Sequence, residues 1–118
     1  MDLASVDVLI LCGGKGTRLK SVVPDKPKIL AEINRNPFIF HLLSYLEQAG
    51  ALRVILCTGY LHNKIEEWVS TSYFGNMNIE LSQERKPLGT AGAIKNASKY
   101  IKSEHFFVLN GDTFSKTK

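Results

Sequence analysis

The sequence predicts a three-layer α/β domain built on a mostly parallel sheet. Four short runs of β-branched and aliphatic residues, at positions 6–11, 53–58, 78–82 and 106–109, read as strands. Between them lie stretches whose apolar residues recur at helical spacing, so the chain alternates between the two periods. Strands that alternate with helices pair in parallel, and the helices cover both faces of the sheet. Crossovers in such sheets are right-handed. Ligands collect beyond the carboxyl ends of the strands, near a switch in strand order.

Taken in order, Val6-Asp7-Val8-Leu9-Ile10-Leu11 is a first buried strand that runs straight into a glycine-rich loop. Positions 19–27 are punctuated by Pro24 and Pro27 and are expected to be irregular beyond a short turn. Asn36-Pro37 opens a helix, with Asn36 as its cap and Pro37 at the first helical position. Ile39, Leu42, Leu43 and Leu46 form its apolar face, and Gly50 ends it. Arg53 to Thr58 is a second buried strand, and Leu61, Ile65 and Trp68 mark a short second helix. Asn78-Ile79-Glu80-Leu81-Ser82 alternates as a more exposed strand does. Thr90 begins a third helix that runs to Ala97, with Ala93 and Ala97 small enough for close packing. Phe106 to Leu109 is the fourth strand, closed by Asn110-Gly111-Asp112. No covering helix follows it before Lys118. The chain is therefore expected to be an amino-terminal piece of a longer domain, or to be completed by another chain.

Composition narrows the class. Of 118 residues, 44% are hydrophobic and 22% charged, which excludes a disordered chain and a cysteine-rich scaffold. No apolar run approaches the roughly 18 residues of a membrane span. Asp2 and Asp7 near the start, with no basic region before an apolar core, argue against a secretory signal. Cys12 and Cys57 match no zinc spacing and are expected to be reduced and buried, as in a cytoplasmic protein. The net charge of +4 is dispersed, apart from Lys95, Lys99 and Lys102, and lacks the dense basic stripe of a nucleic-acid binder. Neither nucleic acid nor a membrane is an expected partner.

The chemistry is concentrated in the loops. Leu11-Cys12-Gly13-Gly14-Lys15-Gly16-Thr17-Arg18 packs three glycines and two cations into the six positions after Cys12. Glycine admits close backbone approach and positive φ, and successive amides in such a loop can surround an anion. A phosphate-bearing ligand explains both the glycines and the charges, whereas a plain structural turn explains only the glycines. A Walker loop is excluded because Lys15 is followed by Gly16, which counts against a small kinase. A dinucleotide fingerprint lacks its third glycine, whose place Leu19 takes.

Three further segments add to this. In Lys26-Pro27-Lys28 the proline stiffens the backbone and can fix the direction of a lysine. Lys28 is then a candidate to offset charge developing on a transferring phosphate. Gln83 offers donors and an acceptor for a base edge. Gly89 lets a ring lie against backbone, and Thr90 either caps a helix or contacts ligand. Asp112, in a glycine-flanked turn at a strand end, is the best-placed acid for a magnesium ion bridging to phosphate. His41, His62 and His105 show no metal spacing.

Together, Leu11 to Leu19, Lys26-Pro27-Lys28, Pro87-Leu88-Gly89-Thr90-Ala91-Gly92 and Val108-Leu109-Asn110-Gly111-Asp112 resemble the sugar-1-phosphate nucleotidyltransferases. Leu11-Cys12-Gly13-Gly14, Arg18 to Val23, Thr58-Gly59-Tyr60 and Leu109 to Phe114 are most similar to the branch of guanylyltransferases that act on D-glycero-D-manno-heptose 1-phosphate. The resemblance implies a Rossmann-like fold of the nucleotide-diphospho-sugar transferase type, truncated here, with residues 1–118 forming the amino-terminal nucleotide-binding portion. It implies GTP and heptose 1-phosphate as substrates, magnesium as cofactor and pyrophosphate as product, in a cytoplasmic enzyme for which a homo-oligomer stays open. It implies that Leu11, Gly13, Gly14, Gly16 and Thr17 surround the nucleotide and that Gln83, Gly89 and Thr90 contact the nucleoside. Arg18 and Lys28 stand beside the reacting phosphates, and Asp112 is the first metal ligand. Family members place a second metal-binding aspartate and much of the sugar pocket beyond the equivalent of Lys118. Transfer to another hexose 1-phosphate, and a nucleotide-binding module without catalysis, remain the alternatives.

Overall fold

The computed structural model describes residues 3–12, 32–33, 36–59, 62–86 and 89–110. These form β1 (Asp7–Leu11), β2 (Glu32–Ile33), β3 (Asn36–Pro37), α1 (Phe38–Gln48), β4 (Arg53–Thr58), α2 (His62–Ser70), β5 (Asn78–Gln83), α3 (Gly89–Ala97) and β6 (Phe106–Asn110). The main sheet is parallel throughout, in the order β5-β4-β1-β6, and β2 with β3 makes a small antiparallel ribbon. This is the three-layer α/β architecture the alternating periods predict.

Alternation along the strands builds two cores. Val8, Ile10, Val54 and Leu56 turn to one face, where they meet Ile39, Leu42, Leu43 and Leu46 of α1 and Ile65 of α2. Leu9, Ile55 and Cys57 turn to the other face, against Ala93 and Ala97 of α3. The two small alanines let α3 lie close to the sheet, as expected from their size. Phe74 tilts against both Phe40 and Trp68, with ring centroids 6.0 and 6.2 Å apart, and closes the end of the first core. Each fully buried aliphatic side chain contributes roughly 1.5–3 kcal/mol relative to exposure. β5 and β6 flank the described sheet and are the more open strands, with Phe106, Phe107 and Val108 exposed.

Several element ends differ from the sequence expectation, each for a local reason. Val6 lies before β1 because its amide donates to the Leu3 carbonyl and closes the 3-10 turn Leu3–Ser5. Asn36 is not the cap of α1, nor is Pro37 its first helical residue. Asn36-Pro37 pairs with Glu32-Ile33, and Pro37 itself takes the cap position at φ −59° and ψ 149°. A residue before proline is driven to extended geometry, which suits pairing better than capping. Likewise Gly89, not Thr90, turns the chain into α3. Its φ of +74° is one that glycine adopts freely, and Thr90 then falls within the first turn.

The end of α1 follows the expectation. Gly50, at φ +96°, donates to the Glu47 carbonyl while Ala51 donates to that of Leu46. This is a Schellman closure, with glycine at its left-handed position.

A polar clamp holds the amino edge of the sheet. Asp7 opens β1 and is buried. Its Oδ2 accepts the amides of Lys102 and Ser103 at 2.6 and 3.2 Å, and its own amide donates to Ser103 Oγ at 2.9 Å. Arg53 opens β4, donates to the Tyr100 carbonyl at 2.6 Å, and brings Nε within 3.6 Å of Asp7 Oδ1. The starts of β1 and β4 and the turn feeding β6 are thus tied to one carboxylate. Replacement of Asp7 by alanine leaves the mostly buried Arg53 without its counter-charge and two amides without an acceptor. In urea unfolding, Asp7→Ala is expected to lose about 3 kcal/mol; a loss under about 1 kcal/mol would mean that the clamp is incidental.

Cys12 and Cys57 are free and buried, as expected, on neighbouring strand ends. Burial first, then the Glu84 carboxylate, pushes the Cys57 thiol from its ordinary value of 9.0 up to about 11. Burial first, then Cys57 and Glu84, raises Cys12 further still. Because the folded value lies above the unfolded one, the protonated Cys57 favours the fold. That contribution is complete below pH 9 and lost as pH rises through about 11. Unfolding free energy measured at pH 8 and pH 11 should fall less in Cys57→Ala than in the unaltered protein; equal slopes would contradict this linkage.

Candidate functional site

The parallel register brings all the carboxyl ends of the main sheet into one row. Leu11 stands opposite Cys57 on one side and Asn110 on the other, and Thr58 stands opposite Gln83. Pairing continues one step past the strand ends. The Cys12 amide donates to the Cys57 carbonyl at 2.9 Å, and the Glu84 amide donates to the Thr58 carbonyl at 2.7 Å. Leu11, half-buried in this row, and Gln83, exposed at its far end, are separated by two strand spacings, roughly 10 Å.

The switch in strand order falls between β1 and β6. From β1 the chain moves outward through β4 to β5, with α1 and α2 on one face. It then returns through α3, on the opposite face, to β6 on the far side of β1. Connections leaving to opposite faces open a crevice at the carboxyl ends of the two adjacent strands, which is where α/β sheets bind ligands. Leu11 and Asn110 are the paired residues at that point. In sequence, the glycine-rich segment starts two residues after Leu11, and Asp112 lies two residues after Asn110. The strands carrying the two motifs are neighbours. Gly13, Gly14, Gly16, Thr17, Arg18, Lys28 and Asp112 themselves lie outside the described residues.

Of the nucleoside candidates, Gln83 ends β5, while Gly89 and Thr90 open α3, all three exposed. A β-carbon at Gly89 would meet no described atom within 4 Å, so positive φ rather than crowding calls for glycine there. One side chain links these two elements. Asn96, near the end of α3, donates from Nδ2 to the Gln83 carbonyl at 3.1 Å and to Ser82 Oγ at 3.3 Å.

A second polar link sets the turn after β4. Thr58, fully buried, places Oγ1 2.5 Å from His62 Nδ1, and His62 Nε2 lies 3.8 Å from Glu66 Oε1. The Thr58 hydroxyl also lies 3.5 Å from the Ser82 carbonyl, to which it can donate, and the imidazole tautomer sets which partner of the Thr58–His62 pair donates. The Gly59 carbonyl receives the His62 amide at 3.0 Å and completes the entry to α2. Sequence reasoning did not assign these roles to Thr58, His62, Glu66 and Asn96. The i,i+4 spacing of the first three was visible in the chain, but Asn96 meets β5 only in three dimensions.

The chemical content of the described edge is polar and positioning. Both thiols stay protonated at neutral pH and are poor nucleophiles. Among the described residues, no group of three or more His, Cys, Asp or Glu is arranged to hold a metal ion. Lys99 and Lys102 belong to the segment tied to Asp7 and Arg53, at the opposite edge of the sheet. No helix among the described residues is long and apolar enough to cross a membrane.

Comparison with known proteins agrees with this geometry. The chain is 46% identical over 109 residues to D-glycero-alpha-D-manno-heptose 1-phosphate guanylyltransferase of Campylobacter jejuni, covering 92% of this chain and 48% of that protein. It is 44% identical over 108 residues to the protein of the same name from Aneurinibacillus thermoaerophilus, covering 92% and 46%. Among solved structures it superimposes on HddC from Yersinia pseudotuberculosis, complexed with GMP-PN, with a TM-score of 0.82 and 47% identity, covering 91% of this chain and 48% of that one. The chain thus spans about half the length of the curated relatives it matches. The model of the nucleotidyl transferase family matches residues 7–118, nearly the whole length, and the chain belongs to that family.

Proposed function

We propose that the protein carrying this chain transfers GMP from GTP to D-glycero-D-manno-heptose 1-phosphate, with release of pyrophosphate. The observation that carries the reading is the pairing of Leu11 with Asn110 at the switch point, which sets the stems of the glycine loop and of the Asp112 turn on adjacent strands. The substrate assignment draws on the likeness to heptose 1-phosphate guanylyltransferases at 46% and 44% identity.

An oxygen of the sugar 1-phosphate attacks the α-phosphorus of GTP. The new P–O bond forms as the bond to the β-phosphate bridging oxygen breaks, and pyrophosphate leaves with that electron pair. The nucleophile is already an anion, so no strong protein base is required. The difficulty is bringing two polyanions together, and catalysis comes from positioning and from offsetting charge. In this reading Gly13, Gly14, Gly16 and Thr17 present backbone and hydroxyl groups to the triphosphate. Arg18 and Lys28 stand beside the reacting phosphates, while Gln83, Gly89 and Thr90 hold the nucleoside. Asp112 is an oxygen donor of the kind magnesium prefers, and magnesium held there would supply positive charge to the α-phosphate. The enzyme is read as cytoplasmic, acting on small molecules rather than on nucleic acid or a membrane, with a homo-oligomer allowed.

Pyrophosphate release and sugar-nucleotide formation, measured for the whole open reading frame with each nucleoside triphosphate, test the assignment. GTP with heptose 1-phosphate is expected to be the best pair. Preference for mannose 1-phosphate would move the enzyme within the family, and nucleotide binding without transfer in any combination would leave a binding module. Lys28→Ala and Arg18→Ala should each lower kcat by about 10²–10³-fold. Chelation with EDTA should abolish turnover and added magnesium restore it.

A further inference from the structure

We infer that Asn96 is a positioning residue for nucleotide base selection, acting through the peptide between Gln83 and Glu84. The inference rests on the reading above in one respect, that Gln83 faces the base.

The geometry of that peptide carries the argument. Its N–H, on Glu84, donates to the Thr58 carbonyl at 2.7 Å and so points toward β4. The peptide is trans, so its C=O, on Gln83, points the opposite way, off the flank of the described sheet. A carbonyl on that flank has no strand to accept from among the described residues. Asn96 reaches it from α3 at 3.1 Å, and the same Nδ2 reaches Ser82 Oγ at 3.3 Å. The peptide plane is therefore held from both sides, by β4 through the amide and by α3 through the carbonyl. Fixing that plane fixes the direction in which the Gln83 Cα–Cβ bond leaves the strand.

Asn96 also couples two candidate contacts that are six residues apart. Its helix begins at Gly89, whose φ of +74° sets the turn into α3. One amide thus joins the end of β5, bearing Gln83, to the helix opened by Gly89 and Thr90. Packing alone does not explain an amide here. The neighbouring positions that face the sheet, Ala93 and Ala97, are the smallest of side chains and already seat the helix. Asparagine adds two donors to that surface, and Nδ2 is directed at the strand carrying Gln83.

The test uses the protein of the whole open reading frame, unaltered and with Asn96→Ala, Asn96→Asp or Ser82→Ala. Asn96→Asp keeps the shape but removes both donors and sets a carboxylate against the Gln83 carbonyl. Ser82→Ala removes the weaker arm and leaves the Gln83 contact. Binding of GTP, ATP and UTP without sugar is measured by calorimetry, and kcat and KM for GTP and for heptose 1-phosphate in the steady state. Both Asn96 variants are expected to lose about five-fold or more in preference for GTP over ATP, the factor a hydrogen bond of ordinary net strength represents. KM for GTP rises with it, while kcat and KM for the sugar phosphate stay within about two-fold. Ser82→Ala keeps the preference.

An Asn96→Ala protein with lowered thermal stability but unchanged base preference would overturn the inference. So would a uniform loss across kcat and both KM values. The two readings fail separately. Selective GTP binding without transfer removes the transferase assignment and leaves Asn96 to be judged by binding. Transfer with no base preference in the unaltered protein removes the role of Asn96 alone.

Discussion

β1 is hydrogen-bonded on both sides, to β4 and β6, and buried on both faces, so its register admits no local adjustment. A slip of one residue would carry Leu9 from the α3 core to the α1 core and bring Asp7 out of line with its amides. The same register sets Leu11 level with both Cys57 and Asn110 at the other end. The order of the carboxyl edge is therefore inherited from packing in the middle of the sheet and from the Asp7 clamp at its start. The two edges of the sheet do different work. The amino edge consumes its charges in fixing register, and the carboxyl edge leaves Gln83, Gly89 and Thr90 exposed.

Much of this was legible in the chain because hydrophobic period and glycine position are local signals. Val8 to Ile10 and Val54 to Leu56 read as continuous apolar runs, as strands buried on both faces must. Gly50 marked the end of α1 because the left-handed closure needs a residue without a β-carbon. Parallel topology allows β1 and the last strand to be neighbours without requiring it, and the observed order places β6 directly beside β1.

What escaped the sequence depends on partners distant along the chain. Asn36 has the composition of a cap, but pairing with Glu32-Ile33 outcompetes that role, and β2 is too short to announce itself. Asp7 reads as a charge interrupting an apolar strand. Only the turn 96 residues away makes its burial sensible. Asn96 reads as a polar position in a helix, since the carbonyl it satisfies belongs to another element. Of the candidate site, Leu11, Gln83, Gly89 and Thr90 can be placed, whereas the phosphate and metal candidates lie outside the described residues.

In the proposed function, one substrate imposes two tasks on this edge of the sheet. In that reading, triphosphate chemistry belongs to the ends of β1 and β6, while Gln83 lies at the end of β5, on the other side of β4. β5 reaches β1 only through β4, whereas α3 packs on β1 and β4 directly. In that reading, changes at the β5–α3 junction bear on base acceptance through Gln83. Thr58 sits between the two regions, fully buried, receiving the Glu84 amide through its carbonyl and meeting His62 through its hydroxyl. That position makes β4 a spacer of fixed width rather than a participant. In the proposed function, strand spacing sets the separation between the Leu11 end of β1 and Gln83, and Asn96 holds the Gln83 peptide at the far end of that span.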